Sequence, residues 1–210
     1  MNVLRVDASI QGTASASSAL ADLVTAELTQ AQPGAAVVRR HLGADPLPAD
    51  AWPSAIAAQF TAEQERTAAQ RGALALATSL AEELRTADVA VLALPLYNWG
   101  VSQHVKTWID LVIAGGGAGT PLLEGTPTVL LTTRGGSYQP GTPKEGWDHS
   151  IGYLRRIVGD VWQADLTVVE REFTLVGVNP ALDEFTEVAA LMKKEAEAAA
   201  VEAGRALAAR

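Results

Sequence analysis

The sequence predicts an α/β fold in which helices cover both faces of a five-stranded, doubly wound parallel sheet. Apolar runs of strand length alternate along the chain with segments of helical periodicity. Residues 88–94 are apolar almost throughout, which is typical of a strand buried on both faces of a parallel sheet. Because crossovers between parallel strands are right-handed, this alternation of strands and helices yields a doubly wound sheet.

The first half of the chain supplies three of the predicted strands, at residues 3–8, 35–41 and 88–94. A helix follows the first strand and ends by Pro33-Gly34; its apolar face is formed by Leu20, Leu23, Val24 and Leu28. Residues 42–61 are rich in Pro and Ala and predict a covering loop with some helix. Residues 62–85 predict a helix whose apolar face holds Ala69, Ala73, Leu76, Ala77, Leu80 and Leu84.

The second half continues the alternation with strands at residues 126–133 and 161–169. Three helices separate and follow these strands, and each has an apolar stripe. The first carries Val105, Trp108, Ile109, Val112 and Ile113 and ends at Gly115-Gly116-Gly117; the second carries Trp147, Ile151, Leu154 and Val158. The last begins at Asp183 and carries Phe185, Val188, Met192, Ala196, Ala199 and Ala203.

Composition narrows the classes of function. A length of 210 residues predicts one domain, 1–210. The 16 Lys and Arg against 24 Asp and Glu give a net charge of −8, which argues against nucleic acid as a partner. There is no Cys, and the three His lack metal-ligand spacing, so no metal site is predicted. No apolar run spans a membrane and no signal peptide opens the chain, so the cytoplasm is the expected location.

A loop rich in hydroxyl side chains follows the first strand. Residues 9–18 contain Ser9, Ser15, Ser17 and Ser18 and lead directly into the first helix. Free N–H groups and the dipole of a helix N-terminus favour a phosphate there. The loop has no Lys and is neither a Walker A sequence nor GxGxxG, which indicates a monophosphate. Helix capping by the serines is the alternative interpretation.

Two further unusual loops follow the third and fourth strands. Pro95-Leu96-Tyr97-Asn98-Trp99-Gly100 offers aromatic faces, and Asn98 and Gly100 tolerate the positive φ that would aim backbone N–H groups outward. The adjacent Gly135 and Gly136 would let the backbone pass close to a ligand. An ordinary packed βα turn is the alternative for the aromatic segment.

The flavodoxin-like strand order 2-1-3-4-5 fits five strands and brings these three loops together. In that order the carboxyl ends of strands one, three and four are neighbours, and ligands of open α/β sheets bind at such a point. A site for a phosphate at one end and a planar ring at the other describes flavin mononucleotide (FMN).

The sequence resembles the FMN-dependent NADH-azoreductases, a family of NAD(P)H:quinone oxidoreductases with this fold. The resemblance rests on Ser9 with Ser15-Ala16-Ser17, the segment 95–100, Lys106-x-Trp108-x-Asp110, and Thr133-Arg134-Gly135-Gly136. It covers nearly the whole chain. Family members typically have P-M-Y-N-F in the second of these stretches and S-R-G-G in the fourth. This chain departs conservatively from both, with Leu96 in place of Met, Trp99 in place of Phe and Thr133 in place of Ser.

The resemblance implies how these residues hold FMN. Ser9, Ser15, Ala16 and Ser17 would bind the phosphate; Leu96, Tyr97, Asn98 and Trp99 would line the isoalloxazine, with a backbone N–H facing N5; Thr133, Arg134, Gly135 and Gly136 would contact the pyrimidine edge. Trp99 and Tyr138 are expected as walls for a flat substrate. Arg134 is either a charge near the pyrimidine edge or an outward surface residue.

The resemblance also implies an activity and an assembly. NADH or NADPH would pass a hydride to flavin N5, and a quinone or azo compound would then take two electrons in the same site. No side chain is expected to act as a catalytic acid, base or nucleophile, since the flavin carries the chemistry. A homodimer is expected, with its contact near Trp108. An FMN-binding electron carrier or regulatory module without turnover is the alternative, and a phosphodiesterase is a weaker one.

Overall fold

A computed structural model describes all 210 residues and has a single five-stranded sheet at its centre. The strands are β1 (Asn2–Asp7), β2 (Ala36–His41), β3 (Val89–Ala93), β4 (Pro127–Thr133) and β5 (Asp165–Arg171). Every pairing is parallel, and the order is β2-β1-β3-β4-β5. The predicted fold class and strand order are therefore confirmed.

Six α-helices flank the sheet: α1 (Ala16–Ala31), α2 (Ala51–Gln59), α3 (Ala68–Arg85), α4 (Gln103–Gly116), α5 (Ile151–Arg155) and α6 (Thr186–Ala208). Helices α1 and α6 cover one face, and α2 to α5 cover the other. None of them is both long and apolar enough to cross a membrane.

Strand β3 lies between two hydrophobic cores, one on each face of the sheet. Its side chains alternate, so that Ala90 and Leu92 pack toward α3 and α4, whereas Val89 and Val91 pack toward α1 and α6. All five of its residues are buried, as the apolar run predicts. Burial on both faces fixes the register, because a shift by one residue would exchange the two cores.

Three helix boundaries differ from the prediction. Helix α3 begins at Ala68 rather than residue 62, because Thr67 and Gln70 form a capping box that starts the helix there. Helix α5 excludes Trp147, and it continues as a π-helix at Arg156–Val161. Helix α6 begins at Thr186, after a 3-10 turn at Pro180–Phe185.

Strand β5 begins at Asp165, four residues later than predicted. The apolar pair Val161-Trp162 belongs instead to the end of the preceding helical segment. Trp162 is buried there against Trp108 in an edge-to-face contact, with 5.5 Å between ring centroids. Trp108 is fully enclosed within its own chain, and the dimer contact expected on the apolar helix around it stays a prediction.

The apolar stripe of α6 is also only partly as predicted. Ala196 and Ala203 are buried on α1, but Val188 and Ala199 face solvent. Buried residues of α6 begin at Ala196, so the first turns of this helix do not pack on the sheet. On α3, Ala69 is likewise exposed, whereas the rest of its predicted face is packed.

Candidate functional site

A cleft of about 390 Å³ opens at the carboxyl ends of β1, β3 and β4. Each of the three predicted loops contributes to its wall, and so does the loop after β5. Residues from the predicted set that line it are Ser9, Ala16, Leu96, Tyr97, Asn98, Trp99, Thr133, Gly135, Gly136 and Tyr138. Ser15, Ser17 and Arg134 do not line it.

The start of α1 forms the first end of the cleft. Ser15 caps the helix: its Oγ accepts a hydrogen bond from the Ser18 N–H at 3.1 Å and donates to Ser18 Oγ at 2.9 Å. Its hydroxyl is therefore used within the chain, as the capping interpretation expects. The N–H groups of Ala16 and Ser17 have no acceptor in the chain. These two donors at a helix N-terminus suit an anion.

Tyr97 joins this first end to the aromatic turn. Its hydroxyl accepts from the Ile10 N–H at 3.1 Å and lies 3.2 Å from Ser9 Oγ, which itself accepts from the Gln11 N–H. Together the two hydroxyl groups carry two hydrogens, and the hydrogen bond between Ser9 and Tyr97 uses only one of them. The other hydrogen remains for an acceptor in the cleft.

A buried ionic group lies beneath this end. Asp7 is 0% exposed and accepts hydrogen bonds from Arg5 and Arg39. Burial by itself would raise the pKa of Asp7, but hydrogen bonds from Arg5, Ser18 and Arg39 hold that pKa below its ordinary value. Arg5 also donates to the Ser18 carbonyl, so this group anchors the first turn of α1 to β1.

The aromatic turn is a two-residue hairpin turn at residues 97–100. Tyr97 and Gly100 exchange hydrogen bonds of 3.1 and 2.9 Å between their backbones. Asn98 and Trp99 between them have φ of 47° and 64°, so Trp99 rather than the expected Gly100 takes the left-handed conformation. A left-handed tryptophan is strained, which is common at functional sites. The Asn98 and Trp99 N–H groups have no acceptor in the chain.

Trp99 stands at the mouth of the cleft and is 47% exposed. Trp147, which is 50% exposed, meets it edge-on with 6.1 Å between ring centroids. The His149 N–H donates to the Trp99 carbonyl at 2.9 Å. These contacts explain why Trp147 leaves the predicted helix: it pins the loop after β4 to the aromatic turn.

The Gly-Gly turn after β4 forms the other end. The N–H groups of Gly135, Gly136 and Ser137 have no acceptor in the chain. A Cβ on Gly135 would lie 2.6 Å from a methyl carbon of Leu175, so this glycine admits a neighbouring side chain rather than a ligand. Gly136 has no such neighbour and faces Lys144, whose Nζ lies 3.8 Å from the position of a Cβ.

Buried Glu172 positions this turn. Its carboxylate accepts from Ser137 Oγ at 2.7 Å and from the Tyr138 N–H at 3.0 Å. Burial and the charge of Asp148 raise the pKa of Tyr138, so its phenol stays neutral near pH 7. Tyr138 thereby presents an uncharged ring to the cleft.

Arg134 is buried rather than an outward surface residue, and its side chain does not line the cleft. It is 4% exposed and donates to Asp148 at 2.6 Å and to Glu170 at 2.5 Å. Burial by itself would lower the pKa of Arg134, but these carboxylates raise it. Asp148 also accepts from the Ser150 and Ile151 N–H groups at the start of α5.

Sequence reasoning missed six lining residues: Gln11, Lys144, Thr174, Leu175, Asn179 and Leu182. Four of them follow β5, whose loop bonds to the Gly-Gly turn through Thr174 N–H to the Arg134 carbonyl and Leu175 N–H to the Gly135 carbonyl. The strand order contained the signal, because β5 is the neighbour of β4 and its carboxyl end reaches the same edge.

Comparison with known proteins agrees with this geometry. Residues 1–198 match a family model described as flavodoxin-like fold. A protein of Frankia casuarinae named FMN-dependent NADH:quinone oxidoreductase is 35% identical over 95% of this chain and 96% of its own. A protein of the same name from Streptomyces coelicolor is 35% identical, covering 95% of this chain and 91% of its own.

Solved structures show the same fold at lower identity. A Bacillus anthracis azoreductase superposes with a TM-score of 0.77 at 22% identity, covering 98% of this chain and 99% of its own. A Bacillus anthracis FMN-dependent NADH-azoreductase in complex with FMN gives 0.74 at 20% identity, over 97% and 99% of the two chains.

Proposed function

The chain belongs to the flavodoxin-like family of FMN-dependent NADH:quinone oxidoreductases, and on this premise we propose that it is such an oxidoreductase, acting on quinones and azo compounds. FMN would supply the chemistry, accepting a hydride from NADH and delivering two electrons to the second substrate. The chain's own residues bind and orient the cofactor and shape the space above it.

One observation carries the proposal: seven backbone N–H groups without acceptors lie in three sets at one cleft. Five belong to residues that line it, namely Ala16, Asn98, Trp99, Gly135 and Gly136, and two belong to the adjacent residues Ser17 and Ser137. FMN has acceptors with the same distribution, namely phosphate oxygens at one end, N5 in the middle and ring carbonyls at the other. Unpaired donors in a partly buried site are costly unless a ligand or water satisfies them.

The unpaired N–H groups support each of the predicted contacts with FMN. The α1 N-terminus, with Ser9, would hold the phosphate, and Ser15 and Ser17 would support it by forming that first turn. The aromatic turn would place one free N–H opposite N5 while Leu96 and Tyr97 pack against the ring. Backbone of residues 133–136 would meet the pyrimidine edge, with Arg134 contributing main chain only.

Trp99 and Tyr138 would then form the walls against which a flat substrate lies. Both line the cleft, and Trp99 is half-exposed at its mouth. A nicotinamide, a quinone and an azo dye are all planar, so stacking would admit each in turn. This supports alternating occupancy of one site by the two substrates.

Steady-state kinetics test the activity. The FMN-loaded protein should oxidise NADH continuously with a benzoquinone in excess, with parallel lines in double-reciprocal plots. A single stoichiometric bleaching without sustained turnover would instead favour the electron carrier or regulatory module. NADPH in place of NADH measures nucleotide preference.

We also propose that the protein is a cytoplasmic homodimer in which the partner closes over the cleft. The half-exposed Trp99 and Trp147 at the cleft mouth support a covered surface there. Light scattering at micromolar concentration should give twice the chain mass, and a strict monomer would contradict the dimer.

A further inference from the structure

Lys144 is the one side chain lining the cleft that carries a full charge at pH 7. The remaining sixteen lining residues are apolar, glycine, amide, hydroxyl or phenol. This cation stands out because the chain as a whole has a net charge of −8. A cleft in so acidic a protein that presents only a positive charge would favour negative charge on its ligand.

No carboxylate neutralises Lys144 directly. It forms no ion pair, unlike Lys106 and Lys193, which pair with Asp110 and Glu197. The neighbouring Glu145 accepts from the Gly141 N–H within the loop. Glu172 is held by Ser137 and Tyr138.

Lys144 lies near the β4 end of the cleft. Its Nζ lies 5.7 Å from the centre of the Tyr138 ring and faces Gly136. The three unpaired N–H groups of residues 135–137 belong to the same turn. A cation and three backbone donors therefore converge at the β4 end, opposite the phosphate end at α1.

We propose, resting on the proposed function, that Lys144 stabilises the reduced form of FMN over the oxidised form. With the phosphate at α1 and the ring past β3, the polar pyrimidine end would lie at β4, because β1, β3 and β4 are consecutive in the sheet. Reduction places negative charge on the N1–C2–O2 part of that end. A cation and N–H donors fixed there favour the form that carries the charge.

The role expected of Arg134 thus belongs to Lys144. Arg134 is surrounded by Asp148, Glu170 and Glu172, which more than balance its charge, so it presents no positive charge to the cleft. Lys144 comes from a loop of consecutive turns tied down at Trp147 and His149 by the aromatic turn.

The test compares the affinity of the intact protein for oxidised and reduced FMN. Lys144→Met should weaken binding of reduced FMN about tenfold more than binding of oxidised FMN. By linkage this lowers the two-electron potential of bound FMN by about 30 mV. Lys144→Arg should keep the wild-type ratio, and Lys194→Met, which removes an exposed α6 lysine outside the cleft, should leave it unchanged.

Several outcomes would overturn the proposal. Equal weakening of both forms would make Lys144 a general binding residue. An unchanged potential with a raised KM for NADH would assign it to the nicotinamide nucleotide instead. The same loss in Lys194→Met would reduce the effect to net charge. If the wild-type protein binds no FMN in either form, the proposed function itself fails, which is a separate result.

Discussion

The two ends of the cleft are built on buried ionic groups of opposite design. At the α1 end, one carboxylate, Asp7, is held by two arginines. At the β4 end, one guanidinium, Arg134, is held by three carboxylates. Both groups fix a loop whose backbone N–H groups are left unpaired toward the cleft. Buried ion pairs that do not line the cleft thus hold the backbone donors in place.

The difference between the ends lies in where positive charge for a ligand can come from. The α1 end needs none, since a helix N-terminus already favours an anion. The β4 end has no helix N-terminus, and its buried cation is neutralised. A separate exposed cation, Lys144, completes that end.

The largest expected effect is on stability at the β4 end. Arg134→Met leaves Asp148, Glu170 and Glu172 together without their central cation, at a cost of about 4 kcal/mol in the free energy of unfolding. Urea denaturation measures it. Arg155→Met is the control, because Arg155 is 54% exposed and shares only Glu170, so its loss should cost under about 1 kcal/mol. Equal costs would contradict the role of burial.

The α1 end should be less sensitive and depend on pH. Asp7→Asn should cost about 2 kcal/mol at pH 7, since Arg5 keeps Asp22 as a partner. The folded-state pKa of Asp7 lies below its ordinary value of 3.8, so its contribution is complete above that pH and is lost as pH falls through the folded pKa. Wild-type and variant stabilities should therefore converge in acid. Convergence on raising the pH would contradict this sign.

A smaller effect is expected where Tyr97 links the α1 end to the aromatic turn. Tyr97→Phe removes the acceptor of the Ile10 N–H and the partner of Ser9. FMN affinity should fall about fivefold to tenfold, equivalent to about 1 kcal/mol. Tyr138→Phe is the matched control, since the Tyr138 hydroxyl makes no hydrogen bond in the chain. A fluorescence titration showing equal losses would contradict the link.

The smallest effect on stability is expected at Trp99. In Trp99→Gly, relief of the left-handed strain offsets loss of the Trp147 contact, so stability should change by less than about 1 kcal/mol. The KM for a benzoquinone should nevertheless rise, because a wall of the cleft is gone. A loss of more than about 2 kcal/mol would show that Trp99 is structural instead.

The sequence alone predicted the features that depend on residues close together in the chain. The strands, the loop before α1 and the turn after β3 follow from local runs, caps and turn residues. The surroundings of Arg134 did not, because Glu170 and Glu172 lie more than thirty residues away, on and just after β5. Trp147 and Lys144 lie in a loop without periodicity, and contacts with Trp99 and Tyr138 determine their positions.

Backbone amide NMR during titration with FMN tests the arrangement most directly. In ¹H–¹⁵N correlation spectra, the seven amides of residues 16, 17, 98, 99 and 135–137 should shift together and saturate at one FMN per chain. Riboflavin, which lacks the phosphate, should bind more weakly and leave residues 16 and 17 unmoved. Saturating FMN that moves only one of the three sets, or none, would contradict a single cofactor spanning the cleft.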